Sequence, residues 1–128
     1  MTSIITGRTS TVGTSALPNG GNATVAQKVP CRVATTANIT LSGTQTIDDI
    51  AVVADDRVLV KNQTDGTENG IYIAAAGAWV RSTDTADNGD LVTGSQVRVN
   101  FGTAGAGEWY CSAADPIVIG TTDMTWGQ

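Results

Sequence analysis

The chain contains no histidine. Triads that need imidazole, His-ligated zinc and haem sites, and simple histidine pH switches are therefore excluded. Charge is also scarce, at 15% of 128 residues, and it is unbalanced: seven Lys and Arg stand against twelve Asp and Glu, a net charge of -5. The resulting pI of about 4.3 is opposite to the positive field that draws phosphate backbones, so nucleic acid is excluded as an expected partner. The basic residues Arg8, Lys28, Arg32, Arg57, Lys61, Arg81 and Arg98 are scattered and form no linear patch. No apolar run approaches the roughly 20 residues that span a bilayer, so no membrane partner is expected. The opening MTSIITGRTSTVG lacks the apolar stretch of a secretory signal, which leads to the expectation of a chain made in the cytoplasm of its host and released as a soluble protein. Aromatic residues number six and cysteines two.

What is present suffices for one compact domain. Hydrophobic residues make up 41% of the chain, enough to build a core. Composition changes near Lys28. Before it, Thr, Ser, Gly, Asn and Ala surround single aliphatics (Ile4, Ile5, Val12, Leu17) and a Pro18-Asn19-Gly20-Gly21 turn cluster. Such a segment buries too little to offset an ordering entropy of ~1 to 2 kcal/mol per residue. Residues 1–28 therefore read as an extended docking arm whose four aliphatics make its contacts, and residues 29–128 as the folded domain.

The domain reads as strands. In Gln96-Val97-Arg98-Val99-Asn100-Phe101 the period of two puts Val97, Val99 and Phe101 on a core face and the polar residues on a wet one. Arg57-Val58-Leu59-Val60-Lys61 is apolar on both faces at its centre, as an interior strand requires. Gly70 to Ile73 and Ala78 to Arg81 flank Ala74-Ala75-Ala76-Gly77, a hairpin in which Gly77 is expected to supply positive φ. Gly102 to Gly107 connects the Val97 strand to Glu108-Trp109-Tyr110-Cys111. Short strands are expected at Ile39 to Leu41, Ile117 to Ile119 and Met124 to Trp126. The fold class is all-β, a small antiparallel sandwich or barrel-like domain behind an extended amino-terminal arm.

Three runs, ATTANITLSGTQTID (Ala34 to Asp48), DRVLVKNQTDGTENGIYIAAAGAWVRSTD (Asp56 to Asp84) and IVIGTTDMTWGQ (Ile117 to Gln128), together resemble a β-domain of bacteriophage tail-fibre and related virion proteins. DRVLVKNQ followed by ENGIY and a Gly-Ala-Trp hairpin is the specific part. The resemblance implies a particle component that is homo-oligomeric, with a trimer expected, and with no enzymatic activity, no catalytic residues and no cofactor. The pattern commonly has glycine where this chain has Asp49 and Asp56, at turns where Asp tolerates left-handed geometry. Fibres embed the domain in a longer chain with a distal tip. An arm plus one β-domain suits instead an accessory on the virion surface, such as a capsid decoration, head fibre or tail-attached protein, contacting other virion proteins.

Other candidate sites were weighed against plainer roles. The acidic loop from Asp84 to Asp90 offers oxygens to calcium but lacks EF-hand spacing, and its residues are those that turns require. Asp48-Asp49 and Asp55-Asp56 imitate a carboxylate pair, yet neighbours on an extended chain point to opposite faces. Trp79, Trp109 and Tyr110 are expected first to fill a small core, since aromatics are few, with stacking on a host-surface glycan, the mark of a carbohydrate-binding adhesin, as the alternative. Cys31 and Cys111 admit one intrachain bridge, two interchain bridges or two buried thiols; a Cys31 to Cys111 link between subunits would weld an oligomer.

Overall fold

The computed structural model describes residues 27–128, and over them the chain is all-β. The arm contacts Ile4, Ile5, Val12 and Leu17 lie outside the described residues. Ten strands follow in order: β1 (Gln27–Cys31), β2 (Val33–Ala34), β3 (Gln45–Ile47), β4 (Ile50–Val52), β5 (Arg57–Val60), β6 (Gly70–Ile73), β7 (Val80–Arg81), β8 (Gln96–Val99), β9 (Gly107–Cys111) and β10 (Trp126–Gly127). Two single turns of 3-10 helix, Gly66–Glu68 and Thr83–Thr85, sit in the connections.

The strands form one four-stranded sheet ordered β1-β8-β9-β10, a second ordered β2-β5-β6-β7, and the β3-β4 hairpin. The first strand already lies in register against β8 at Gln27, opposite Gln96, two residues before the boundary that composition suggests. Pro30 has no N–H to give to a ladder, and the register slips between Lys28 and Cys31, as a proline in an edge strand demands. At Arg32 the chain changes sheets: the Arg32 amide donates to the Arg57 carbonyl at 2.7 Å, and β2 pairs with β5. Both pairings of this leading segment are parallel and the other strand pairings are antiparallel, so the sheets are mixed where periodicity suggested an antiparallel domain.

The layers follow from which side chains each strand buries. Cys31, Val97 and Val99 of the first sheet meet Ala34, Leu59 and Ile71 of the second in one core. On the other side of the second sheet, Val33, Val58, Val60 and Tyr72 meet Ile47 and Val52 of the β3-β4 hairpin, together with Trp79. The second sheet is thus the middle of three layers, and β5 is buried on both faces, as its uninterrupted apolar centre anticipated. A third cluster of Leu91, Cys111, Ala113, Ile117 and Met124 closes one end of the first sheet with residues from the long connections.

Turn chemistry departs from the expectation in instructive places. Asp48 (φ 48°) and Asp49 (φ 69°) are the two central residues of the hairpin closed by Ile47 opposite Ile50, and both have the positive φ that a type I′ turn requires. In the following turn the left-handed residue is Asp55 (φ 76°) rather than Asp56. Gly77 lies outside the left-handed region; Gly43, whose N–H donates to the Gly77 carbonyl at 3.0 Å, is left-handed instead (φ 78°). Phe101 is 55% exposed, because β8 ends at Val99 and the alternation ends with it. Residues 39–41 and 117–119 are not strands; beside the first of these, Ser42 makes only an isolated bridge to Ala78.

Candidate functional site

In the run that carries the resemblance, several polar side chains hold backbone or counter-charges. Asp56 accepts from the Val53 amide at 2.9 Å and pairs with Arg32 at 2.7 Å. Arg57 donates through Nε to the Val29 carbonyl and grips Asp84 with both terminal nitrogens at 3.0 and 2.9 Å. Gln63 acts as a surrogate strand: its Oε1 accepts from the Ile39 amide at 2.9 Å and its Nε2 donates to the Ile39 carbonyl at 3.0 Å. Asn69, buried, accepts from the Gln63 amide and donates to the Met124 carbonyl, both at 2.9 Å. The Tyr72 hydroxyl donates to the Glu68 carbonyl at 2.6 Å, and burial raises its pKa. Polar groups desolvated in this way must be paired, and here the pairing ties the segments around residues 39, 63–69 and 124 together.

The sequence candidates separate accordingly. Asp84 does not face an open loop: Arg57 and Ser82 bind its carboxylate, and the Lys28 ammonium donates to its carbonyl at 3.2 Å. Burial alone would push its pKa up, but the hydrogen bonds from Arg57 and Ser82 outweigh it and the net direction is down. Lys28 is itself buried, which lowers its pKa against the opposing pull of Asp84 and Asp90. Asp48 and Asp49 bind residues 103–105 in the loop before β9 and form no carboxylate pair facing a cleft. Among the described residues no group of three or more His, Cys, Asp or Glu is placed to hold a metal ion.

Both cysteines are free and fully buried, at 0% exposure. Cys31 sits between the two sheets and Cys111 in the end cluster. Burial pushes the Cys31 thiol up to about 12 and raises that of Cys111. No bond joins them within the chain, and the two pack as small hydrophobes; a cross-link to a neighbouring subunit would require the core to open around each thiol.

The aromatic candidates also part company. Trp79 is 6% exposed, and its indole N–H donates to the Gly43 carbonyl at 3.0 Å; its ring fills the core and offers no face to a sugar. Trp109 is half-buried, its N–H donates to the Gly105 carbonyl at 2.8 Å, and Lys61 lies over its ring at 4.5 Å from the centroid. Tyr110 remains outside, 43% exposed. It lies in a row of residues directly opposite one another across the first sheet: Gln27, Gln96, Tyr110 and Gly127.

This row borders an open groove of about 410 Å³ lined by Gln27, Gln96, Glu108, Trp109, Tyr110 and Gln128. The Gln residues carry no signal in the sequence, because a wet strand face is the ordinary place for glutamine. Only the register, which aligns β1 in parallel with β8, brings Gln27 beside Gln96. No family model, no curated protein and no solved structure matches the chain.

Proposed function

We propose that the chain is a structural component of a bacteriophage particle, a surface accessory of the capsid-decoration, head-fibre or tail-attached kind that assembles as a homo-oligomer, a trimer by analogy with fibres, and does no catalysis. The observation that carries this reading is the use made of the polar residues in DRVLVKNQTDGTENGIY. Asp56, Arg57, Gln63, Asn69 and Tyr72 all bind the chain's own backbone or its own counter-charges. In this reading the resemblance to virion β-domains is one of architecture, and what travels with it is a building block.

The mechanism is mechanical. The domain is a three-layer body, and residues 1–26 precede the edge strand β1. In this reading they bind a neighbouring subunit or another virion protein, and a symmetric array of such arms gains avidity. The test is antibody labelling of intact particles in lysates of the strain that encodes the chain. Label on particles, lost when residues 1–26 are deleted, is the expected result; unlabelled particles overturn the proposal. Light scattering on the purified chain should give three times the 13.1 kDa chain mass.

A further inference from the structure

We infer that the groove across β1, β8 and β9 is a binding site for a neutral saccharide, with Tyr110 as its stacking platform. The platform is preformed. A Cβ on Gly127 would lie 3.0 Å from Cζ and from the hydroxyl oxygen of Tyr110, so it is the missing side chain that lets the ring settle on β10. The ring's other side stays exposed. A pyranose carries C–H groups on one face and hydroxyls around its rim, and it matches an aromatic ring flanked by groups that both donate and accept.

Those groups stand beside the ring. The side-chain amides of Gln27 and Gln96 and the Tyr110 hydroxyl have no hydrogen-bond partner among the described residues. This distinguishes them from Gln63 and Asn69, whose amides are fully used. A primary amide matches two adjacent sugar hydroxyls, donating to one and accepting from the other. Glu108 adds an acceptor at the rim, its charge partly met by Arg98 at 4.0 Å.

Charge and backbone chemistry select among ligand classes. The lining has one carboxylate and no cation; Lys28 points to the opposite face, and its ammonium binds the Asp84 carbonyl. An anionic ligand meets the Glu108 carboxylate, and the cation beside it, Arg98, already faces that carboxylate at 4.0 Å. A peptide strand finds no free ladder on the floor of the groove, because β8 is paired with β1 and β9, and β9 with β8 and β10; it could add only at the outer edge of β1, where Pro30 lacks an N–H, or of β10. Side-chain recognition of an uncharged polyol is what the exposed ring and the two amides fit best. The site is independent of whether the chain belongs to a phage particle.

The test is amide NMR titration of the full chain with maltotriose, cellotriose and mannotriose, with a sulfated disaccharide as charged comparator. At least one neutral sugar should shift the amide signals of Gln27, Gln96, Glu108 and Tyr110, saturating at or below about 10 mM. Tyr110→Ala should weaken that binding by about tenfold or more, while Tyr110→Phe retains most of it because the ring carries the stacking. Gln96→Ala, at an exposed position, gives a second readout should Tyr110→Ala disturb the sheet. No shift with any neutral sugar at that concentration, shifts centred elsewhere, or stronger binding of the sulfated disaccharide overturns the site. None of these outcomes alters the particle-labelling result, which tests the other reading.

Discussion

Asp48 holds the backbone of Gly105 from 57 positions away: one carboxylate oxygen accepts from the Gly105 amide at 2.8 Å, and both accept from the neighbouring Ala104 amide at 3.0 Å. Beside it, Asp49 accepts from the Thr103 hydroxyl at 2.7 Å. The two-residue turn of the β3-β4 hairpin is therefore also the clamp for the loop that leads into β9 and carries the Trp109 partner Gly105. Asp48→Ala should cost about 1 to 3 kcal/mol, from the lost charge-assisted bonds and the left-handed backbone together. Asp48→Asn should cost less, since asparagine accepts that backbone and keeps one acceptor. Urea midpoints rank the variants, and faster hydrogen exchange at Ala104 and Gly105 in both locates the effect.

Two glycines make a matched pair for a second prediction. Gly102 has φ 112°, and a Cβ there would run into the Asp48 carboxylate; Gly77 is outside the left-handed region, with open space where its Cβ would be. Gly102→Ala should destabilise by more than about 1 kcal/mol, while Gly77→Ala should be neutral or stabilising by up to about 1 kcal/mol through the unfolded chain. Thermal unfolding of the two variants side by side reads the difference. Equal midpoints would be inconsistent with this account of both turns.

The contrast shows what the sequence makes legible. Strand β5 and the core face of β8 are readable because burial on one or two faces writes itself as runs and alternations of Val, Leu and Ile. Trp79 is ambiguous in the sequence, because a large amphipathic ring serves either a core or a surface. The parallel docking of β1 on β8 and of β2 on β5 is a long-range pairing with no local signature, and the Gln27-Gln96 pair that edges the groove depends entirely on it. Gly77 and Phe101 fail for a different reason: each obeys a good local rule that a neighbour overrides, Gly43 by taking the left-handed geometry and the strand end at Val99 by stopping the alternation.

Acid should loosen the junction of the two sheets. Asp84 has a depressed pKa in the folded chain despite the opposing effect of burial, because Arg57 and Ser82 bind its ionised form. A carboxylate of this kind contributes stability above its unfolded pKa of about 3.9, and loses it as pH falls through the lower folded value. Asp84→Asn should therefore be less stable than the parent at pH 7, and the gap should narrow as pH drops below about 4. A gap that holds constant from pH 7 to pH 3 would mean that Arg57 gains nothing from the charge.

The buried thiol gives a base-side counterpart. Cys31 is raised to about 12, whereas the unfolded thiol titrates near about 8.5, so between those values the unfolded chain releases a proton that the folded chain keeps. The contribution is complete below the unfolded pKa and is lost as pH rises toward the folded one, with a slope of at most about 1.4 kcal/mol per pH unit. Lys28, with its lowered pKa, has the opposite slope below its unfolded value, so parent and variant must be compared at each pH. Cys31→Ala leaves Lys28 in place and removes only the thiol. It should be less stable than the parent at pH 7 because it opens a small cavity where Cys31 meets Leu59, Ile71 and Val97, and the deficit should shrink by pH 10. Iodoacetamide should label neither Cys31 nor Cys111 in the native chain and both in urea; rapid labelling of Cys31 in the native chain would show that the core opens where the two sheets meet.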